Sequence, residues 1–493
     1  MKRIAILGGG IAGLAAAYEL ELARQRGAEI DWHLYESSDR LGGIVETTQQ
    51  DGYTLEGGPD GWVSEKTWAR ELAVELGLQQ ELIASNDATR KTYIAIDGKL
   101  QPMPDRMRMM VPEDLATLEG SPLFSTEARA AYAAELAHAD ELKASAPDHD
   151  ESVASFVLRH FGPEVLDKIG APLLSGVFGG DVAKLSVRAV MPAFVAMERE
   201  HGSLILALQR RKAERGAKPQ QPIFTSLRNG VGALTTALIV RLPAERLHCN
   251  QPALSLKRQG KRWLLRTTAF ATEGRTAKKH LHHVLLATPV DVTRTLLLPL
   301  NAAAAALVPT AASSAVLATF CWPAETAVTF TVPPGFGFLV PQSEMRDTGY
   351  QISTESRILN LESPQLLAAT FVDQKFPHRA PAGARIIRAF FGGTSAEALV
   401  PQPDEAIAAA AFAQLSKLLG PLPEAALTTV RRWPRSLPQY EVGHIERMAA
   451  LDDHIAALGG LTLLGNGYRG VGLPDLIHAS RTAAKSIAAT GVN

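Results

Sequence analysis

Residues 8–13, Gly8-Gly9-Gly10-Ile11-Ala12-Gly13, follow the apolar run Lys2-Arg3-Ile4-Ala5-Ile6-Leu7 and precede an Ala-rich stretch with helical spacing over 14–22. Strand, G-x-G-x-x-G, helix is the order that a dinucleotide site requires. Gly8 allows the tight turn, Gly10 lets the backbone approach a pyrophosphate, and Gly13 lets helix and strand pack closely. Ile11 and Ala12 open the helix, whose unpaired N–H groups and positive dipole end face the phosphates. A second apolar run, Ile30–Tyr35, ends in Glu36. A carboxylate there accepts ribose hydroxyls and repels a 2′-phosphate, which argues against NADP.

The choice between FAD and NAD falls to the residues that follow, Glu36-Ser37-Ser38-Asp39-Arg40-Leu41-Gly42-Gly43. Ser37 flanks the acid, Arg40 can neutralise phosphate charge, and Gly42 and Gly43 permit close backbone approach. This E-x-x-x-R-x-G-G extension resembles the flavin amine oxidase superfamily rather than NAD dehydrogenases. FAD is therefore the expected cofactor, bound non-covalently because no Cys or His is placed for a flavin linkage. The turn-rich run holding Gly58, Pro59 and Asp60 is expected to pass beneath the flavin, with an ordinary loop as the alternative. Ala253 is expected among the cofactor contacts.

A second G-x-G-x-x-G, Gly465-Asn466-Gly467-Tyr468-Arg469-Gly470, follows a short apolar run, Leu461-Thr462-Leu463-Leu464. Too little chain follows it for a βαβ unit with a terminal acid. The expectation is a closing strand of the first domain, a glycine loop, and a helix that begins near Pro474 with Asp475 in its first turn. Gly465, Val471, Gly472 and Leu473 would then meet the flavin, and the helix N-terminus would stabilise negative charge on the reduced ring. The cluster Asn229-Gly230-Val231-Gly232 lacks the third glycine. With no nicotinamide domain left, molecular oxygen is the expected acceptor.

These residues must be positioned by a chain of 493 residues, enough for two or three domains. The expected fold is α/β. A discontinuous Rossmann-like FAD-binding domain takes 1–64, 218–290 and 445–493. A mixed-sheet substrate domain takes 65–102 and 291–444, and a helical domain 103–217. Strands are expected over 316–320, 327–332 and 385–393, and a polar linker over 212–221. A formal charge of −1 gives no reason to expect nucleic acid. Cys249 and Cys321 are the only cysteines, so no metal site or disulfide framework is expected, and a reducing, cytoplasmic location fits. The first strand begins almost at Met1, which argues against a signal peptide. Residues 295–324 carry no charge, but Pro299, Pro309 and Pro323 interrupt them, so a helix and then a strand are expected rather than a membrane span. Met103, Met107, Met109 and Met110, interleaved with Arg106 and Arg108, fill a core or form a greasy basic face; core filling is the commoner use. Peripheral contact with the inner face of the cell membrane, and a homodimer, are the associations to test.

Four further segments resemble the oxygen-dependent protoporphyrinogen oxidases and the closely similar coproporphyrinogen oxidases. They are Leu174-Ser175-Gly176-Val177-Phe178-Gly179-Gly180-Asp181 with Lys184-Leu185-Ser186, Gly335-Phe336-Gly337-Phe338-Leu339-Val340-Pro341, Pro438-Gln439-Tyr440-Glu441-Val442-Gly443-His444, and Tyr468 through Asp475. With the N-terminal loop they span essentially the whole chain in the family's order. The resemblance implies oxidation of a porphyrinogen to the aromatic porphyrin in two-electron steps. It also implies that Leu339 and Phe376 sandwich the macrocycle and that Gly176 faces it. Many family members carry an arginine six residues before the glycine matching Gly98, paired with a substrate propionate. Here that position is Thr92, with Arg90 and Lys91 upstream, so the choice between protoporphyrinogen and coproporphyrinogen stays open. Other readings are a flavin oxidase of amines or polyenes, and a flavin-stabilised carrier without turnover; the 438–444 segment speaks against the first.

Overall fold

The computed structural model describes residues 1–215, 222–268, 276–341 and 364–490. It divides into two units, Met1–Ser85 with Pro222–Ala311 and Ile445–Asn493, and Asn86–Gln221 with Ala312–His444.

The first unit is built on a parallel five-stranded sheet in the order Leu247–His248, Ile30–Tyr35, Lys2–Leu7, His283–Leu286, Leu461–Leu463. Alternation along Lys2–Leu7 sends Ile4 and Ile6 to one face and Ala5 and Leu7 to the other. The first face packs under helix Ile11–Gln25 and the C-terminal helix Leu473–Ala489. The second face packs beneath the antiparallel strands Ala253–Gln259, Arg262–Thr268 and Thr276–Leu281, around Trp263. The expected closing strand and terminal helix are both present.

The second unit carries a seven-stranded sheet. Its order is Leu427–Pro438, Ala312–Trp322, Arg385–Gly392, Ala368–Phe371, Gly337–Leu339, Thr92–Ile96, Lys99–Pro102. All neighbours are antiparallel except Gly337–Leu339 and Thr92–Ile96, which run parallel with Gly337 opposite Thr92 and Leu339 opposite Ile94. Helix Asp404–Leu419 covers one face through Ile407, Ala411 and Leu415.

The helical segment shares a core with this sheet: Ile94 and Leu339 pack with Phe156, Phe161, Ile169 and Leu174. It is thus part of the same unit and not a separate one. Helix Val153–Val165 breaks at Gly162 (φ 78°), where Pro163 follows, and passes through a π-helical turn, Leu166–Gly170, into helix Ala171–Phe178. His160 lies fully buried between Glu135 (3.1 Å) and Glu198 (3.2 Å), the latter also paired with Arg159 (2.7 Å). Burial alone would lower the His160 pKa, but the two carboxylates raise it above the ordinary imidazole value.

Several expectations are corrected. Residues 65–85 stay with the first unit because strand Leu82–Ala84 pairs with Phe224–Leu227, as does Trp62–Val63. Residues 291–311 do so because Leu296, Leu297, Ala304 and Val308 fill the core around Trp263. Residues 103–112 are not helical: Met107–Arg108 and Val111–Pro112 form a hairpin with Met109 at φ 55°. Met107 and Met110 are buried there, and Met103 and Met109 pack partly buried against the same core, which is the core-filling use the sequence favoured. Residues 327–332 form no strand, because Pro323 starts a helical turn, Ala324–Ala327, and Phe330 and Val332 then pack irregularly into the core. Helix Leu204–Arg215 runs into the expected linker, whose residues 216–221 lie outside the described residues. Residues 295–324 hold helix Ala302–Leu307 and strand Ala312–Trp322. Among the described residues no helix is long and apolar enough to cross a membrane.

Candidate functional site

Two groups of candidate residues are assembled, one within each unit. In the first, the 8–13 turn joins strand Lys2–Leu7 to helix Ile11–Gln25. Gly8 has φ +106°, and a Cβ there would stand 2.4 Å from the Ala287 carbonyl oxygen; one on Gly13 would stand 1.9 Å from the Gly8 carbonyl. A Cβ on Gly10 would meet nothing within 4 Å. Two of the three glycines are thus demanded by the chain's own packing, and the third borders open space.

Residues 40–45 fold back onto this turn. The Gly42 N–H donates to the Gly9 carbonyl (2.9 Å), Gly42 bridges Gly10, and Gly42 and Gly43 have φ +110° and +59°. Gly58 lies so close behind that a Cβ would stand 1.9 Å from the Ile44 carbonyl, while the Asp60 carbonyl accepts from the Ser226 hydroxyl (2.7 Å). Pro59 lies between them. The Arg40 guanidinium donates to the Gly43 carbonyl (2.8 Å) and pairs with Glu46 (3.3 Å), which fixes the turn.

Glu36, at the end of strand Ile30–Tyr35, accepts from the Gly9 N–H (2.6 Å), the Ser37 hydroxyl (3.0 Å) and the Ser38 N–H (2.8 Å). Burial pushes its pKa up, but the Ser38 and Gly9 amides outweigh that and hold it below the ordinary carboxylate value. It is an ionised acceptor stitched to the glycine turn. The Gln251 N–H donates to the Glu36 carbonyl (2.8 Å), so the segment leading to Ala253 runs beside the acid.

The second glycine loop leaves strand Leu461–Leu463 in the same sheet. Gly465 has φ +114° with open space beside it, and Gly472 caps helix Leu473–Ala489 without a side-chain hydrogen bond, just after Val471. Asp475 in the first turn pairs with Lys66 (2.7 Å). The helix therefore presents backbone donors at Leu473 rather than a capped end. The 229–232 glycines are structural: the Val231 N–H donates to Glu56 (2.8 Å) and the Gly232 N–H to Thr47 (2.8 Å).

An open Gly10 position, paired glycine turns with their backbones free of side chains, and an ionised Glu36 fit an adenine dinucleotide. Sequence reasoning missed Gly9, whose Cβ would stand 2.4 Å from Leu41, and Ala287, whose carbonyl oxygen lies against Gly8. Ala287 carried no signal of its own; only the positive φ implied by Gly8 pointed to a close neighbour there.

In the second unit, helix Ala171–Phe178 brings Gly176 to Leu339: a Cβ on Gly176 would lie 3.8 Å from Leu339 Cδ2. Gly176 and Val177 are exposed, Leu339 is 9 % exposed, and Phe376 is fully buried, with the Lys375 ammonium 5.2 Å from its ring centre. Phe376 thus presents no open surface beside Leu339. The Phe336 N–H donates to the Lys91 carbonyl (2.7 Å), fixing the 90–92 segment beside strand Gly337–Leu339. There Asp87, Arg90, Lys91, Thr92, Asp105 and Arg106 line a pocket of about 220 Å³. Arg106 enters it from the methionine hairpin with φ 58°.

The sequence pattern of flavin containing amine oxidoreductases matches residues 11–488. The chain is 31% identical to the coproporphyrinogen III oxidase of Bacillus subtilis over 488 residues, 98% of this chain and 97% of that protein. It is 28% identical to the chloroplastic protoporphyrinogen oxidase 1 of Spinacia oleracea, covering 98% of this chain and 83% of that protein. The crystal structure of a proposed protoporphyrinogen oxidase from Exiguobacterium sp. 255-15 superposes with a TM-score of 0.82 at 29% identity, over 99% of this chain and 98% of that one. With the cradle for FAD in its first unit, the chain is an FAD-dependent oxidoreductase and belongs to the family of flavin containing amine oxidoreductases.

Proposed function

We propose that the protein oxidises a porphyrinogen to its porphyrin, with oxygen as the electron acceptor. The observation that carries this reading is the convergence of Gly176, Leu339 and the 90–92 segment, remote in sequence, on one pair of neighbouring strands. FAD, when bound, supplies the acceptor for hydride from the substrate's methylene bridge. Gly8, Gly10, Gly13, Gly42, Gly43 and Glu36 hold its pyrophosphate and ribose. Gly176 and Leu339 offer a flat apolar wall for the macrocycle, and Arg90, Lys91 and Arg106 take its carboxylates. No strong side-chain base is needed, since a pyrrole N–H can lose its proton once hydride has left.

Protoporphyrinogen IX is the first reading of the substrate. The second, coproporphyrinogen III, is favoured by three cations in one pocket, which suit a substrate with more propionates, and by the name of the Bacillus subtilis relative. Oxygen is favoured because the second glycine loop belongs to the sheet of the first, leaving no separate nicotinamide domain among the described residues. Each two-electron step then consumes one oxygen and releases one hydrogen peroxide. The test is to mix the FAD-loaded protein with each porphyrinogen without oxygen. Flavin absorbance should bleach and porphyrin fluorescence rise, and admitting oxygen should restore the flavin. A flavin left unbleached by both substrates overturns the reading, and a requirement for NAD(P) or a quinone overturns the acceptor.

A further inference from the structure

The 438–444 segment, which the site just described does not use, lies at the far end of the helix that carries Gly176. Helix Ala171–Phe178 ends at Gly179, which is left-handed at φ 65° and donates its N–H to the Ser175 carbonyl (2.7 Å). The last carbonyls of a helix lack intrahelical donors, so something else must hold them. The donor here is the Gln439 side chain: its Nε2 reaches the Phe178 carbonyl (2.9 Å) and the Leu437 carbonyl (2.8 Å). Gln439 is 9 % exposed. Its Oε1 lies so close over Gly180 that a Cβ there would stand 1.7 Å away, while a Cβ on Gly179 would meet Leu437 at 2.9 Å and Ser313 at 3.1 Å. The Ser175 hydroxyl donates to the Gly180 carbonyl (3.1 Å), closing the socket from the helix side. The end of strand Leu427–Pro438 thus grips the helix end through one buried amide. Within that helix's last turn stand Gly176, against Leu339, and Val177, 54 % exposed.

We propose that Gln439 is a positioning residue for the substrate. By fixing the Phe178 carbonyl to the sheet it sets where Gly176 and Val177 stand relative to Leu339, and so the shape of the wall the macrocycle lies on. This rests on the porphyrinogen reading above. Gln439 meets no reacting atom. Its loss lets the last turn fray and loosens the wall while FAD binding and chemistry stay intact.

Two near-isosteric variants test this, Gln439→Met and Gln439→Glu. Gln439→Met removes both donated bonds and should raise KM about three- to tenfold, the worth of a neutral hydrogen bond, with kcat changed less than about twofold. Gln439→Glu keeps one donor only while its carboxyl is protonated, a state that burial favours. Its KM should stay near the wild-type value at about pH 6 and rise by the Gln439→Met factor at about pH 8, whereas wild-type and Gln439→Met KM values hold their ratio across that range. A merely structural role would not give that pH split. FAD content should equal wild type in both variants. Folded, FAD-loaded variants with wild-type KM, or with kcat reduced at unchanged KM, overturn the proposal. Should Gln439→Met fail to fold, the pH dependence of Gln439→Glu carries the test.

Hydrogen exchange gives a readout independent of the substrate. Peptides spanning 171–182 should exchange faster in Gln439→Met than in wild type, with the rest of the helical segment unchanged. If wild type oxidises neither porphyrinogen, the functional reading fails and exchange alone decides the role of Gln439: equal exchange overturns it.

Discussion

The cofactor cradle and the substrate wall both use glycine, but in opposite ways. In the cradle, side chains at Gly8, Gly13 and Gly58 would strike carbonyl oxygens at 2.4, 1.9 and 1.9 Å. At the wall, a side chain on Gly176 would meet Leu339 at an ordinary 3.8 Å, and the charged groups nearby are exposed. The turns that would hold the cofactor are thus fixed by backbone packing, whose geometry admits few sequences. In the proposed reading the substrate would be met by side chains, which can be exchanged for others of like charge. Arg90, Lys91 and Arg106, around the pocket that Thr92 also lines, would then do the work of the arginine that the family resemblance leads one to expect at position 92.

The sharpest way to break this comparison is Gly13→Ala. Overpacking against the Gly8 carbonyl should cost about 3 kcal/mol or more in stability and abolish FAD binding, as followed by melting and flavin titration. Gly10→Ala, whose methyl meets open space, should melt within about 0.5 kcal/mol of the wild-type apoprotein yet bind FAD at least about tenfold more weakly. If both variants behave alike, the division between packing and ligand glycines is wrong.

Glu36→Ala should weaken FAD binding by about 1–3 kcal/mol with the fold retained. Because its folded pKa is depressed, the Glu36 contribution is present above the ordinary carboxylate value and is lost as pH falls through the folded value. His160 in the second unit has the opposite sign. Its folded pKa is raised, so its contribution is complete below the ordinary imidazole value and is lost as pH rises through the folded one. Hydrogen exchange followed against pH should find the glycine turn loosening first in acid and helices Thr126–Ala137 and Val153–Val165 first in alkali.

Smaller effects are expected at the pocket. Arg90→Ala, Lys91→Ala and Arg106→Ala should each raise KM about three- to tenfold, less at high salt, with kcat nearly unchanged. A loss confined to coproporphyrinogen favours the four-propionate substrate. Smallest of all is Gly176→Ala, which should leave stability within about 0.5 kcal/mol and alter KM only by narrowing the wall.

The turn geometry of residues 8–13 and 42–43 was legible because its signals are backbone requirements, which glycine meets most readily. The terminal loop was legible for the same reason, since Gly465 and Pro474 punctuate strand and helix. Side-chain environments were less so. The methionines of 103–110 read as core filling or, less commonly, as an outer face, and the hairpin turns Met107 and Met110 inward. Residues 327–332 have strand composition, but the helical turn after Pro323 and the contacts of Phe330 and Val332 decided otherwise. Gln439 stood in a recognised motif, yet its link to Phe178 spans 261 positions and has no local trace.

The π-helical turn over Leu166–Gly170 carries a consequence for insertions and deletions. Such a turn closes its hydrogen bond over one residue more than an α-helical turn. Lys168 braces it, donating to the Leu123 carbonyl (2.9 Å) and pairing with Glu164 (2.8 Å). Taking one residue out would turn the π-helical turn into an α-helical one and rotate everything beyond it by about 100°. Gly176 would swing away from Leu339, and Leu174 and Ser175 would leave the core. A one-residue length change here would therefore alter the proposed substrate surface without any substitution in it.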